Sequence, residues 1–196
     1  MTRALELAVA GGGDRAVAIA GATQMLRALG ADLDREGMER TPARLVDALL
    51  EMTTPRPFSF TTFPNDESYD ELVLVRDIPF RSLCEHHVLP FTGVAHVGYL
   101  PSARIVGLSK LARVVEHVSR GLQVQERMTV ELADLLESEL HPRGVGVVLS
   151  AEHLCMSLRG AQVPGSVTCT SALRGLLRDD ARSRQEFLAL TTRASS

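Results

Sequence analysis

Residues 71–100 read ELVLVRDIPFRSLCEHHVLPFTGVAHVGYL, two apolar runs joined by a short polar stretch. Glu71 to Phe80 and Phe91 to Leu100 are rich in Val, Leu, Ile and Phe, which is typical of β-strands. The connection between them carries Cys84-Glu85-His86-His87, with a thiol, a carboxylate and two imidazoles in consecutive residues. The segment therefore predicts two strands with chemically active side chains in the connection that joins them.

Downstream of this segment, apolar spacing predicts alternating helices and strands. The expected elements are a helix capped by Ser109 and ended by Gly121, a second helix to Leu140, strands over 145–151 and 166–170, and a closing helix capped by Asp180. This order is typical of an α+β fold in which a four-stranded antiparallel sheet has two helices between its hairpins, covering one face.

Upstream, the pattern indicates an N-terminal helical extension. Ala16 to Leu29 has helical spacing and stops at Gly30, and Thr41-Pro42 is a favourable helix start with Thr as the N-cap. Residues 55–70 are expected to be a loop, and Gly11-Gly12-Gly13 a flexible segment. We therefore divide the chain into an extension and loop over residues 1–70 and a main domain over residues 71–196.

Bulk composition limits the classes of function. Of the 196 residues, 45% are hydrophobic and 23% charged, which suits a packed domain. No apolar run approaches the roughly 18 residues that span a membrane, and the N-terminus does not resemble a signal peptide. Three cysteines cannot all pair within one chain, so we expect a reducing cytoplasm. The formal net charge of −3 argues against nonspecific nucleic-acid binding.

The cysteines suggest a metal site. Cys84 and His87 need a third ligand, and Cys155 lies in His-Leu-Cys-Met directly after a predicted strand. Two thiolates and one imidazole leave a fourth zinc position for water, which is the arrangement of catalytic sites. Spacing alone leaves open that Cys84 and Cys155 are small buried residues, and we expect Cys169 to be one.

The neighbours of these residues suggest proton transfer and guanine recognition. His86 and His153 each lie beside a candidate ligand, where a neutral imidazole can exchange protons near neutral pH. They equally fit buried, hydrogen-bonded histidines. Glu126 could accept two hydrogen bonds from the N1–H and amino group of a guanine, although an acidic residue is also common in the first turn of a helix.

Basic residues suggest where an anion would bind. Ser109-Lys110 and Arg113 cluster at a helix start, and Arg159 follows Cys155. A helix N-terminus with Lys and Arg suits phosphate, but such residues also form ordinary solvated helix faces. The chain contains no Walker-type or dinucleotide-binding glycine loop.

Taken together, these elements resemble GTP cyclohydrolase I over about residues 40–190. The matching motifs are ERTPAR (39–44), SLCEHHVLPF (82–91), GLSKLAR (107–113), QVQER (123–127), EHLCM (152–156) with Arg159-Gly160, and EFL (186–188). The resemblance implies the tunnelling fold, with an N-terminal helical extension, assembled as a homodecamer with active sites between subunits. Convergence of basic residues from neighbouring subunits would explain how a negative chain binds a highly anionic substrate.

The resemblance also assigns residues and a reaction. It implies zinc ligands Cys84, His87 and Cys155, proton-transfer residues His86 and His153, and substrate contacts Glu126, Gln125, Ser109, Lys110, Arg113, Arg159 and Arg44. The reaction would be zinc-dependent hydrolysis and rearrangement of GTP to 7,8-dihydroneopterin triphosphate with release of formate. That reaction is the first step toward pterins and tetrahydrofolate, and specialised deazapurine routes also use it.

Two departures and three rival functions qualify this resemblance. Family members commonly carry Arg at the position of Gly121 and a basic residue near Gln162 and Val163, which bears on phosphate affinity and subunit contacts. A pterin synthase or dihydroneopterin aldolase of the same fold would lack these motifs. A regulatory homologue with structural zinc would not need both His86 and His153. The Pro-Cys-x-x-Cys pattern of a nucleoside deaminase is absent.

Overall fold

The computed structural model describes the backbone of residues 3–6 and the whole of residues 14–192. Its strands are β1 Arg3–Glu6, β2 Ser59–Pro64, β3 Val73–Cys84, β4 Pro90–Leu100, β5 Arg104–Val106, β6 Leu122–Gln123, β7 Gly144–His153 and β8 Val167–Gly175. Its helices are α1 Arg15–Ala28, α2 Thr41–Thr53, α3 Leu108–Ser119, α4 Gln125–Leu140, α5 Leu154–Ser157, α6 Leu176–Asp179 and α7 Ala181–Thr192.

The central sheet has the strand order β6-β3-β4-β7-β8. Strands β3, β4, β7 and β8 pair antiparallel in sequence order, and the short β6 pairs parallel to β3. Helices α3 and α4 lie in the chain between the two long hairpins. The α+β class and the antiparallel sheet are therefore confirmed.

The main core lies between the sheet and helices α3 and α4. Leu111 and Leu132 from the helices are fully buried with Val147 and Leu149 from β7. Because alternate strand residues face the same side, Val145 to Ala151 presents one continuous apolar row to these helices. Each large apolar side chain buried in this way contributes about 1.5–3 kcal/mol.

The closing helix α7 packs against the sheet through Phe187. This ring is fully buried and lies over two glycines, Gly98 of β4 and Gly146 of β7. A Cβ atom on Gly146 would lie 2.7 Å from the ring, and one on Gly98 would lie 3.0 Å from it. The strands can therefore accommodate Phe187 only because these two positions lack side chains.

The N-terminal helices agree with the sequence, apart from a cap. Helix α1 begins after Asp14, whose carboxylate accepts the Ala16 N–H at 2.8 Å, and the chain leaves it through Gly30 at φ +87°. Thr41 was expected to cap α2, but Thr41 is its first residue and Arg40 precedes it without a side-chain cap. The Gly11-Gly12-Gly13 segment lies outside the described residues.

One prediction for the extension was wrong. Residues 55–70, expected to be a loop, contain β2, which pairs with β1 and β5 in a second, three-stranded sheet. Phe60 and Thr62 alternate toward the interior and are each 2% exposed. The prolines at the ends of the segment suggested a loop, whereas the strand depends on partners distant in sequence. Pairing between β2 and β5 also joins residues 1–70 to the main domain.

The caps of the later helices agree only in part. Helix α3 begins at Leu108 after Gly107, without the expected side-chain cap from Ser109. Asp180 does cap α7, since its carboxylate accepts the Ser183 N–H at 2.8 Å. None of the described helices is both long and apolar enough to cross a membrane.

We expect Gly146→Ala to lower the free energy of unfolding by about 1–3 kcal/mol, because the added methyl group would overlap the Phe187 ring. Gly21→Ala is the matched control. Gly21 lies inside α1 with nothing within 4 Å of its Cβ position, so this change should raise stability by roughly 0.5–1 kcal/mol. Urea unfolding of both variants measures the two effects. Equal stability of both variants would contradict the packing described for Phe187.

Candidate metal centre and active site

The Cys84–His87 segment forms a tight connection between β3 and β4. The Cys84 N–H donates to the Leu89 carbonyl at 2.9 Å, and the Val88 N–H donates to the Cys84 carbonyl at 2.8 Å. Val88 takes a positive φ of 53° to close the turn, which is unfavourable for a β-branched residue. The backbone therefore holds this segment in a defined conformation at the end of the sheet.

Strand pairing brings Cys155 to the same end. Phe91 of β4 pairs with Ser82 of β3 on one side and with His153 of β7 on the other. Cys84 and Cys155 each lie two residues beyond these partners, so they flank β4 at the same edge of the sheet. Register alone thus joins two motifs that are far apart in sequence.

The ligand atoms of Cys84, His87 and Cys155 all lie within 4.8 Å of one another. Cys84 Sγ is 3.9 Å from His87 Nδ1. In tetrahedral zinc sites, with Zn–S near 2.3 Å and Zn–N near 2.0–2.1 Å, neighbouring ligand atoms lie about 3.5–3.8 Å apart. The group therefore fits zinc in both donor type and spacing.

The electrostatics of the cysteine pair also favour a cation. Burial raises the pKa of the Cys155 thiol, and the nearby Cys84 raises it further. A bound divalent metal would offset this raised pKa by stabilising Cys155 as the thiolate. Cys169 is not in this group, but it is exposed on the edge strand β8 rather than buried as expected, with its Sγ 3.3 Å from Ser150 Oγ.

We refer to Cys84, His87 and Cys155 as the metal group. His86 lies on its solvent side. Its Nδ1 is 3.9 Å from Cys84 Sγ, and its Nε2 is 3.9 Å from Glu85 Oε1. The other carboxylate oxygen of Glu85 accepts a hydrogen bond from the Arg127 guanidinium at 2.7 Å. Glu85, which sequence reasoning leaves without a role, thus links the metal segment to the first turns of α4.

His153 is held more tightly than His86. Its ring stacks on Phe91 with a centroid distance of 4.6 Å and an interplanar angle of 2°. Its Nε2 lies 2.7 Å from Gln125 Oε1. Burial lowers the pKa of His153, and the negative charge of Glu126 opposes that shift. The net lowering favours a neutral imidazole near pH 7.

A cavity of about 250 Å³ joins these groups. Its walls include the metal group together with His86, His153 and Glu126. Glu126 is exposed in the first turn of α4, whereas the adjacent Gln125 is 1% exposed with its side chain directed into the protein. One pocket thus combines a group that could hold a metal ion, two further imidazoles and an exposed carboxylate.

The expected phosphate contacts lie outside this cavity. Among the described residues that line it, none is Lys or Arg. Ser109, Lys110 and Arg113 lie in the first two turns of α3, and Arg113 lines a separate cavity of about 270 Å³ with Arg56 and Glu116. Arg159 is exposed just beyond α5, and Arg44 donates to the Gly37 carbonyl at 3.1 Å. Within one chain, these basic residues therefore do not line the cavity, although the charge of Arg159 is close enough to lower the pKa of Cys155 in part.

Sequence reasoning missed three residues that shape the site. The sequence indicated only that Phe91 lies in a strand, yet its ring stacks on that of His153. Arg127 and Gln123 bond to each other at 3.0 Å beside Glu85. The only sequence signal for these roles is that each residue adjoins or lies within a chemically active motif.

The fold and the site together define an α+β protein with a candidate metal-dependent active site at one end of an antiparallel sheet. The sequence profile described as GTP cyclohydrolase I matches residues 19–192. The chain belongs to the GTP cyclohydrolase I family.

Named relatives cover most of the chain. It is 52% identical to "GTP cyclohydrolase 1" of Aquifex aeolicus over 84% of this chain and 90% of that protein. The protein of the same name from Mycolicibacterium paratuberculosis is 51% identical over 92% and 91%. A solved structure titled "archaeosine synthase QueF-Like in the apo form" covers 53% of this chain with a TM-score of 0.43 and 17% identity, too distant to bear on function.

We expect Cys155→Ser to abolish zinc retention, because it removes a thiolate that directly faces Cys84 and His87. The loss of affinity should exceed the roughly 10- to 100-fold that mutation of an outer-sphere partner causes. Cys169→Ser is the matched control and should retain zinc. Metal content after dialysis, measured by atomic emission, checks both. Zinc loss only in the Cys169 variant would overturn the ligand set.

Proposed function

We propose that this chain hydrolyses and rearranges GTP to 7,8-dihydroneopterin triphosphate and formate, as a zinc-dependent GTP cyclohydrolase I. The observation that carries the proposal is the convergence of the Cys84-His87-Cys155 group, His153 and Glu126 on one cavity. Family membership supports the same reaction. The product would enter pterin and tetrahydrofolate biosynthesis, and the proposed location is the cytoplasm.

The proposed metal ion is zinc, held by Cys84, His87 and Cys155. Zinc in such a site supplies Lewis-acid chemistry and lowers the pKa of a coordinated water. The chain's own residues provide the rest. Glu126 accepts hydrogen bonds from the N1–H and amino group of the guanine, with Gln125 beside it in the helix. This contact orients the purine so that its imidazole ring faces the metal group.

His86 and His153 are the proposed proton-transfer residues. Opening the purine imidazole ring requires a proton on a ring nitrogen, and release of formate requires a further transfer. The two hydrolytic steps consume two waters, and closure of the rearranged ribose carbons onto the freed amine returns one. His153 faces the cavity as a neutral imidazole, and His86 lies at its solvent side, so both can exchange protons with a bound nucleotide.

The triphosphate site is proposed to lie between subunits. The metal cavity has no basic residue among its described lining residues, yet the substrate carries a triphosphate. Ser109, Lys110, Arg113, Arg159 and Arg44 are therefore assigned to the phosphate end, with some supplied by a neighbouring chain. This supports a homo-oligomer, proposed as a decamer of tunnelling-fold subunits with residues 71–196 as the catalytic domain and 1–70 as the extension.

Zinc-loaded protein incubated with GTP should release formate and yield a fluorescent pterin after oxidation. Glu126→Gln should lower kcat/KM by roughly 10- to 100-fold, because one charged hydrogen-bond acceptor is lost. Glu139→Gln, near the far end of α4, is the control and should match the parent chain. Absence of turnover in protein with zinc bound would refute the activity.

A mixing experiment tests the shared site. Cys155→Ser chains lack one proposed zinc ligand, so they cannot supply the metal half of a site. Lys110→Met chains lack one proposed triphosphate contact, so they cannot supply a complete phosphate half. If each site takes one half from each of two chains, co-expression of the two variants should restore about a quarter of the sites. Activity no higher than that of the separate variants would place both halves within one chain.

A further inference from the structure

The Gln125 side chain is fully engaged inside the protein. Its Nε2 lies 3.0 Å from the Thr168 carbonyl, 3.1 Å from Thr170 Oγ1 and 3.3 Å from the Leu149 carbonyl. Carbonyl oxygens can only accept hydrogen bonds, so the NH₂ end of the amide must face them. The reverse orientation would place Oε1 against two carbonyl oxygens. Gln125 Oε1 is therefore directed toward His153.

Two threonines complete the hydrogen assignment. Thr129 Oγ1 lies 2.6 Å from the Gln125 backbone carbonyl and must donate its one hydrogen there. In the 2.6 Å contact between the two hydroxyls, Thr170 is therefore the donor and Thr129 Oγ1 the acceptor. Thr170 Oγ1 is left as an acceptor for the Gln125 amide, in agreement with the first assignment.

These assignments determine which nitrogen of His153 is protonated. Gln125 Oε1 can only accept, so His153 Nε2, at 2.7 Å, must carry a hydrogen. In a neutral ring the lone pair then resides on Nδ1. Stacking on Phe91 at 4.6 Å fixes the ring plane, so neither a flip nor a tautomer change is possible without breaking the network.

We propose that Gln125 is a positioning residue that holds His153 as the Nε2–H tautomer, leaving Nδ1 as the nitrogen that exchanges protons during the reaction. This assignment rests on the proposed role of His153 in GTP turnover. The two N–H groups of the Gln125 amide are shared among three protein acceptors, so its side chain has no free donor for the guanine. Because the Gln125 Oε1 accepts from His153 Nε2, the proposed acceptor for the guanine N1–H and amino group is Glu126.

Kinetics separate a positioning role from substrate contact. Gln125→Met keeps a similar volume but removes both polar atoms. It should lower kcat by about 10- to 100-fold, within the range of general acid–base effects, with KM for GTP changed by less than about threefold. Thr170→Val removes one member of the network and should lower kcat less, with the same unchanged KM. Gln185→Met, at an exposed position of α7, is the control and should leave both kcat and KM unaltered.

Nitrogen NMR tests the tautomer without turnover. In solid-state spectra of the zinc-loaded full chain labelled with ¹⁵N-histidine, the His153 signals are those absent from His153→Gln protein. The parent chain should show a protonated Nε2 and an unprotonated Nδ1 at pH 8. Gln125→Met should show a mixture of tautomers, and if it does not fold, Thr170→Val provides the test through a partial shift.

The outcomes distinguish this inference from the proposed function. A protonated Nδ1 in the parent chain, or a raised KM with unchanged kcat in Gln125→Met, would overturn the positioning role. Lack of GTP turnover by the parent chain would refute the proposed activity while leaving the tautomer readable by NMR. An Nε2–H tautomer together with a loss confined to kcat is the result expected.

Discussion

Backbone pairing of β4 with β7 places Phe91 opposite His153, and the site depends on this register. Phe91 also pairs with Ser82, so one residue of β4 aligns the segment that carries Cys84 with the segment that carries Cys155. A slip of one residue would send every side chain of β7 to the opposite face of the sheet. The same slip would separate the two cysteines and bury the wrong row of β7 residues against α3 and α4.

The register also explains how rigidity and exposure are divided within the site. His153 is stacked, hydrogen-bonded and half-buried. His86 lies on the exposed turn, 3.9 Å from Glu85 and from Cys84, with its ring edge-on to that of His87. The buried residue has a defined orientation, and burial lowers its pKa. The exposed residue can follow the substrate and solvent. Two histidines of similar chemistry thus differ because one belongs to a strand and the other to a turn.

Charge separation within one chain is the second organising feature. The metal cavity is bordered by Glu126 and thiols, and none of the described basic residues of α3 or of the segment after α5 lines it. A monomer would therefore offer a triphosphate little compensation for its charge. Assembly with a neighbouring chain, as proposed, would bring opposite charges together while the isolated subunit keeps a formal charge of −3.

Most of the helices and strands, and the reactive side chains, could be predicted from the amino-acid sequence alone. Apolar periodicity located α3, α4 and the long strands because one face of each is buried. The composition of Cys84 to His87 alone indicated that this segment carries reactive groups. Apolar periodicity did not predict strand β2, because this strand depends on pairing with β1 and β5, which are remote in the chain.

Which of these side chains lie close together depends on the three-dimensional fold. Cys84, His87 and Cys155 form one group because β3, β4 and β7 pair in register, and no local pattern encodes that pairing. The fold also gives the neighbouring residues Glu126 and Gln125 different surroundings. Both residues line the cavity, but Glu126 is exposed there, whereas Gln125 is 1% exposed and its amide bonds to β7, β8 and His153. Adjacent residues at the start of a helix point in different directions, so their roles follow from the surfaces on which the helix packs.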